Sequence, residues 1–170
     1  MTAERATIAF TKVTLPYGWL GNMSPHPLTA LGMKWRTAEA LFQALRFKEH
    51  DQTRLLIAAQ TSPMQAKMIA KANAVQMIVA PRSPVDVLNM DQVLRLKLEQ
   101  HPSLYDQLLA TSDALIVEDC TARQNESGLF WGAARVGNEW TGRNQLGRLW
   151  MELRDAHKTA GSNSRLRSSI

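Results

Sequence analysis

Apolar positions along this chain repeat with two different spacings, and the change between them divides it near residue 36. Before that point the pattern is short and alternating. Thr7-Ile8-Ala9-Phe10 predicts a strand, and Leu28 to Trp35 predicts a hairpin turning near Gly32. Beyond it the helical period takes over. Thr37 predicts the cap of a helix with Ala38, Leu41, Phe42 and Leu45 on one side. Glu39, Gln43, Arg46 and His50 fall at i, i+4, i+7 and i+11 on another. Ser62-Pro63-Met64-Gln65 reads as a capping-box start with proline at the first helical position, leading into Lys67 to Ala72. Asn89 to Glu99 and Pro102 to Leu109 predict two further helices, and Ala114 to Glu118 a short buried strand. A long loop then runs from Glu118 to Phe130-Trp131-Gly132, a length that marks it as functional or mobile. The last helix starts near Asn144 and puts Leu146, Leu149, Trp150, Leu153 and His157 on one face. The sum is an α+β fold, a helix-rich single domain with short strands near the N-terminus.

Composition narrows the class. With 170 residues the chain can bury a sizeable core, and its apolar runs (Leu55 to Ala59, Leu115 to Val117) are far below a membrane span. No apolar leader is visible behind Glu4 and Arg5, and Cys120 is the only cysteine, so a cytosolic chain without an intramolecular disulfide is expected. The net charge of +5 points toward nucleic acid until it is located. After Asp155 come Lys158, Arg165 and Arg167 with no acid, so the tail holds three of the five charges. The body has no basic run to follow a phosphate backbone. The expected organisation is a domain over residues 1–155 followed by a basic, disordered tail over 156–170.

Chemistry concentrates on three places. The polar stripe of the Thr37 helix combines a carboxylate, an amide and a guanidinium, which suits either a solvated face or a site. Trp19, Asn22 and Trp35 flank it with groups that fit a base or ribose. In the helix from Asn89, Lys97 sits near the centre of the apolar stripe of Met90, Val93, Leu94 and His101. A desolvated lysine has a lowered pKa and is a candidate nucleophile; the alternative is a buried stem with its ammonium in water. Near the last helix, Gly142, Arg143 and Asn144 form a possible phosphate cradle or an ordinary N-cap. Trp131 is a stacking or a core residue. The four histidines are scattered with no zinc spacing, so neither a metal nor a cofactor is expected.

Four ordered segments resemble the NADAR (YbiA-like) family of N-glycosidases and ADP-ribose-related hydrolases. They are Tyr17 to Pro25, Trp35 to Phe47, Lys97 to Pro102, and Gly142 to Gly147 running into Leu149 to Arg154. The resemblance implies hydrolysis of an N-glycosidic bond in a ribosylated, nucleotide-like substrate. It places the family glutamate on Glu39, which would manage an oxocarbenium-like charge or a water. Lys97 would be a partner for ring-opened ribose. Asn22, Gln43 and Asn144 would bind sugar or base, Trp131 and Gly132 match an aromatic-W-G element, and Arg46 and Arg143 would hold phosphate.

Several positions depart from the pattern. The family aspartate before the W-G tryptophan is Gly128, with Glu118, Asp119 and Glu126 as substitutes, in a longer loop. Arg46 and Arg143 stand where relatives often carry lysine, which closes imine chemistry there. Ala40 replaces a histidine, and Met77 to Pro84 replaces an Arg-rich segment. Three readings result: an N-glycosidase, a binding protein for an NAD-derived or ADP-ribose ligand, and an enzyme removing ADP-ribose from guanine in DNA.

Overall fold

The computed structural model describes the backbone of residues 5–167 and the side chains of residues 5–159. Their contacts fall into two compact units. The first covers Lys12–His101; the second joins the N-terminal strand to the chain from Pro102 onward.

In the first unit, strands β2 (Leu28–Ala30) and β3 (Met33–Trp35) pair antiparallel. Leu31 and Gly32 between them both take left-handed φ, 56° and 70°, as a two-residue hairpin turn requires. Helix α1 (Ala38–Ala44) starts where Thr37 accepts a hydrogen bond from Ala40 N, and a 3₁₀ turn over Leu45–Phe47 ends it. Helices α2 (Asp51–Ala58), α3 (Pro63–Ala72) and α4 (Pro84–Gln100) all pack against α1. Every residue of α1 is consequently buried.

Two expectations change here. His50 leaves the polar stripe, because the chain turns after Phe47 and His50 precedes α2. Helix α4 begins at Pro84 rather than Asn89, with Ser83 Oγ accepting from Asp86 N at 3.2 Å. That is the same Ser-Pro start that opens α3.

In the second unit β1 (Thr7–Phe10) lies parallel to β4 (Leu115–Glu118), with Ile8 opposite Ile116. Helix α5 (Ser103–Ala110) and helix α6 (Glu126–Trp131) pack against α7 (Gln145–Arg167), which also covers β4. A hairpin, β5 (Ala134–Val136) and β6 (Glu139–Thr141), precedes α7. The core is Phe10, Leu104, Leu108, Ile116, Leu149, Trp150 and Leu153. The long loop is corrected: Asn125 caps α6 inside it by accepting from Gly128 N at 2.8 Å. Helix α7 runs past the expected domain boundary at residue 155, to Arg167. Tyr105 stacks on His157 at 3.9 Å, and Lys158 donates to Ser112 O and Asp113. These contacts anchor the helix past Asp155, and extending a formed helix costs little. Residues 168–170 of the expected tail lie outside the described residues. No helix among those described is long and apolar enough to cross a membrane.

Candidate functional site

The polar stripe of α1 faces protein, not water. Glu39 is 6% exposed, Gln43 3% and Arg46 7%. They form a single chain of hydrogen bonds. Gln43 Nε2 donates to Glu39 Oε1 at 2.8 Å, and Arg46 Nη1 donates to Gln43 Oε1 at 2.8 Å. Arg46 then grips Asp86 of α4 with Nε and Nη2, both at 2.8 Å, and lies over the Phe42 ring at 4.5 Å. Arg46 is therefore engaged within the protein and not held out for a phosphate. Its charge is matched by a buried carboxylate, and Nε, Nη1 and Nη2 each donate to a protein acceptor.

Asn22 meets the start of the same helix. Its carbonyl accepts from Glu39 N at 2.9 Å, and its Nδ2 lies 3.0 Å from Met90 Sδ. Asn22 Oδ1 and Asn89 Nδ2 are buried with no hydrogen-bond partner among the described residues. One acceptor and one donor are thus left for something else. Asn89 carried no sequence signal beyond its place at a helix start. Trp35 is corrected as a stacking platform: it is 0% exposed, its faces are packed, and Nε1 donates to Ala30 O. Trp19 is half-buried in a 3₁₀ turn over Gly18–Leu20.

Lys97 is not a snorkelling lysine. It is fully buried, and Nζ donates to Trp19 O at 2.5 Å, Gly21 O at 3.1 Å and Ser24 Oγ at 2.8 Å. Burial lowers its pKa from 10.5 to about 7. His26 Nδ1 lies 3.0 Å from Ser24 Oγ, and its ring meets His101 edge-on at 5.1 Å. Burial first, then the charges of Lys97 and His101, lower its pKa from 6.5 to about 4. With His26 neutral at pH 7, each donor is used once in the order Lys97, Ser24, His26 Nδ1. Lys97 lies 73 residues from Ser24, so periodicity within one helix does not join it to Ser24 and His26. Beside this cluster Pro25, Pro27, Lys34, Arg36 and Ala58 line an open cleft of about 490 Å³. Lys34 and Arg36 make no ion pair among the described residues, so the cleft carries two cations. No group of three metal-ligating side chains occurs among the described residues.

The second unit gathers the remaining candidates. Trp131 is buried edge-to-face against Phe130 at 5.0 Å, and the exposed Arg143 places its guanidinium 5.3 Å from the Phe130 ring. Gly132 is set by packing, because a Cβ there would stand 2.3 Å from Glu118 O. Asn144 does not cap α7 with its side chain. Its Nδ2 donates to Ile116 O at 2.7 Å and its Oδ1 accepts from Glu118 N at 3.1 Å, so it pairs with β4 as a neighbouring strand would. The helix-start cradle is corrected accordingly: Arg143 N and Asn144 N donate to Leu129 O and Gly132 O.

Gly128 explains the missing aspartate. A Cβ at that position would come within 2.2 Å of Arg123 O. Gly128→Asp is expected to lower stability by about 2 kcal/mol, the scale of overpacking a tight site. Urea unfolding checks it, and an unchanged midpoint would mean the Arg123 turn yields freely.

The NADAR domain matches residues 9–157. N-glycosidase YbiA of Shigella flexneri is 34% identical over 148 residues, covering 87% of this chain and 86% of that protein. N-glycosidase Npun_R5314 of Nostoc punctiforme is 30% identical over 154 residues, covering 88% and 91%. The NMR structure of the Escherichia coli protein YbiA superposes with a TM-score of 0.73 and 31% identity, over 94% of this chain and 89% of that one. Sequence and fold agree, and the chain belongs to the NADAR domain family.

Proposed function

We propose that this chain is an N-glycosidase that hydrolyses the bond between ribose and a base in a nucleotide-like substrate, with Glu39 as its catalytic carboxylate. The observation that carries the reading is the setting of that carboxylate. Glu39 is buried on an entirely buried helix, one oxygen is held by a neutral amide, and the nearest cation of the relay is already matched by Asp86. Cleavage builds positive charge on the anomeric carbon, and an unneutralised carboxylate stabilises that charge or takes a proton from the attacking water. The names of the relatives support the same chemistry. Asn22 Oδ1 and Asn89 Nδ2 supply an acceptor and a donor for sugar or base, and Lys34 and Arg36 supply charge for a phosphate. Lys97 changes role in this proposal. With three acceptors on its Nζ it anchors the Trp19–Ser24 turn that carries Asn22, in place of forming an imine.

The test is mass-spectrometric turnover of NAD, ADP-ribose, ribosylaminopyrimidine phosphates and ADP-ribosylated guanine nucleotides. Release of a free base that disappears in Glu39→Ala supports the proposal and names the substrate. Turnover that survives Glu39→Ala overturns the assignment of Glu39. One observation favours a second reading, a binding protein without turnover: Gly128 leaves no room for the family aspartate. Tight binding of one compound, recovered intact after long incubation, would select it.

A further inference from the structure

Asp86 belongs to none of the motif segments, yet it is the most buried acid among the described residues, at 0% exposure. Both of its oxygens are committed to one task. Oδ1 and Oδ2 accept from Arg46 Nε and Nη2, and Oδ2 also accepts from Arg82 N at 2.7 Å. Ser83 Oγ fixes its backbone in the first turn of α4. Arg46 also donates from Nη1 to Gln43 Oε1. This decides how the Gln43 amide is turned. Rotated by half a turn, it would set a donor against the guanidinium and an acceptor against the Glu39 carboxylate.

Stability alone is a poor reason for such a pair. A buried ion pair is commonly no better than apolar side chains of the same volume, whereas loss of one partner leaves an uncompensated charge. Without Asp86 the buried cation of Arg46 would turn to the other acid on its own stripe, Glu39. We infer that Asp86 is a positioning residue for Glu39: it holds the charge of Arg46, so that Arg46 orients Gln43 and the Glu39 carboxylate stays unpaired for the substrate. This rests on the reading of Glu39 as the catalytic carboxylate, but the orientation of Gln43 can be measured without any substrate.

The experiment compares Asp86→Asn, Gln43→Met and the double variant in the full chain. Each is read by kcat and KM for base release and, where Gln43 is present, by hydrogen exchange of its side-chain amide. Asp86→Asn is expected to lower kcat roughly 10- to 100-fold, the scale of misplacing a catalytic group. KM stays within about threefold, because the lost interaction acts in the transition state. The Gln43 amide protons exchange at least about tenfold faster, as local opening becomes easier. The double variant is no slower than Gln43→Met alone, since both changes cut one relay. Multiplying losses in the double variant, or a Gln43 amide as protected in Asp86→Asn as in the native chain, would overturn the inference. If Asp86→Asn does not fold, Arg46→Lys keeps the charge pair without the planar fork. Faster Gln43 exchange in that folded variant supports the inference, and native protection sinks it. Absence of turnover in every form, native included, would instead remove the glycosidase reading while the exchange data still judge the role of Asp86.

Discussion

Glu39→Gln is expected to reduce base release by about a thousandfold, which is roughly 4 kcal/mol of transition-state stabilisation. Glutamine keeps the shape of the side chain and can still offer an oxygen to Gln43 Nε2, now 2.8 Å from Glu39 Oε1. The fold should therefore survive, with a stability change of about 1 kcal/mol, the worth of one altered hydrogen bond. What disappears is the charge. The relay supplies no substitute: Gln43 is neutral, Arg46 has the wrong sign, and Asp86 is fully occupied by Arg46 and Arg82 N. Rates of free-base release, measured beside thermal melts of both proteins, separate a lost charge from a lost fold. A residual rate within about tenfold of the native one would place the chemistry off α1, since a positioned acid or base contributes more than that.

Much of the scaffold was legible because its signals are local. Thr37, Ser62-Pro63 and the Leu31-Gly32 turn each need only neighbouring residues to act, and all three formed as read. The fate of the polar stripe was not local. Whether Glu39, Gln43 and Arg46 face water depends on α2, α3 and α4 closing over α1, which no spacing within residues 37–47 encodes. Asp86 is hidden for a smaller reason: apolar periodicity starts its helix only at Asn89, although Ser83-Pro84 repeats the Ser62-Pro63 start signal. Residue type offers Trp35 and Arg46 to a ligand, whereas packing encloses Trp35 and Asp86 engages Arg46. The parallel pairing of β1 with β4 joins segments on either side of the whole first unit, so only the strands could be expected, not their partnership. His26, Ser24 and Lys97 are a cluster of the same kind, visible once the Trp19–Ser24 turn lies across α4.

Lys97→Met is expected to destabilise the fold by an amount that grows with pH. The substitution preserves most of the buried stem but strands Trp19 O, Gly21 O and Ser24 Oγ, each costing about 1–3 kcal/mol when buried without a partner. Against this stands the cost of burying the ammonium, which the native chain bears only while Lys97 is protonated. The folded-state pKa near 7 lies below the unfolded value of 10.5, so between these limits the unfolded chain binds more protons. Native stability from this group therefore rises with pH across that window, by about 1.4 kcal/mol per unit. The amine stays satisfied as it loses its proton: two N–H groups still serve the carbonyls, and Ser24 donates to the freed lone pair. The methionine variant has no such term, so the gap between the proteins should widen by roughly 4 kcal/mol from pH 7 to pH 10. On the acid side His26 adds a rise in native stability between its folded value of about 4 and its unfolded 6.5. Removing the Lys97 charge should make that rise shallower. Urea unfolding of both proteins across these ranges measures the gap directly, and other titrating groups largely cancel in the difference. A gap that stays constant above pH 7 would mean that Lys97 titrates as an exposed lysine does, and that its ammonium reaches water after all.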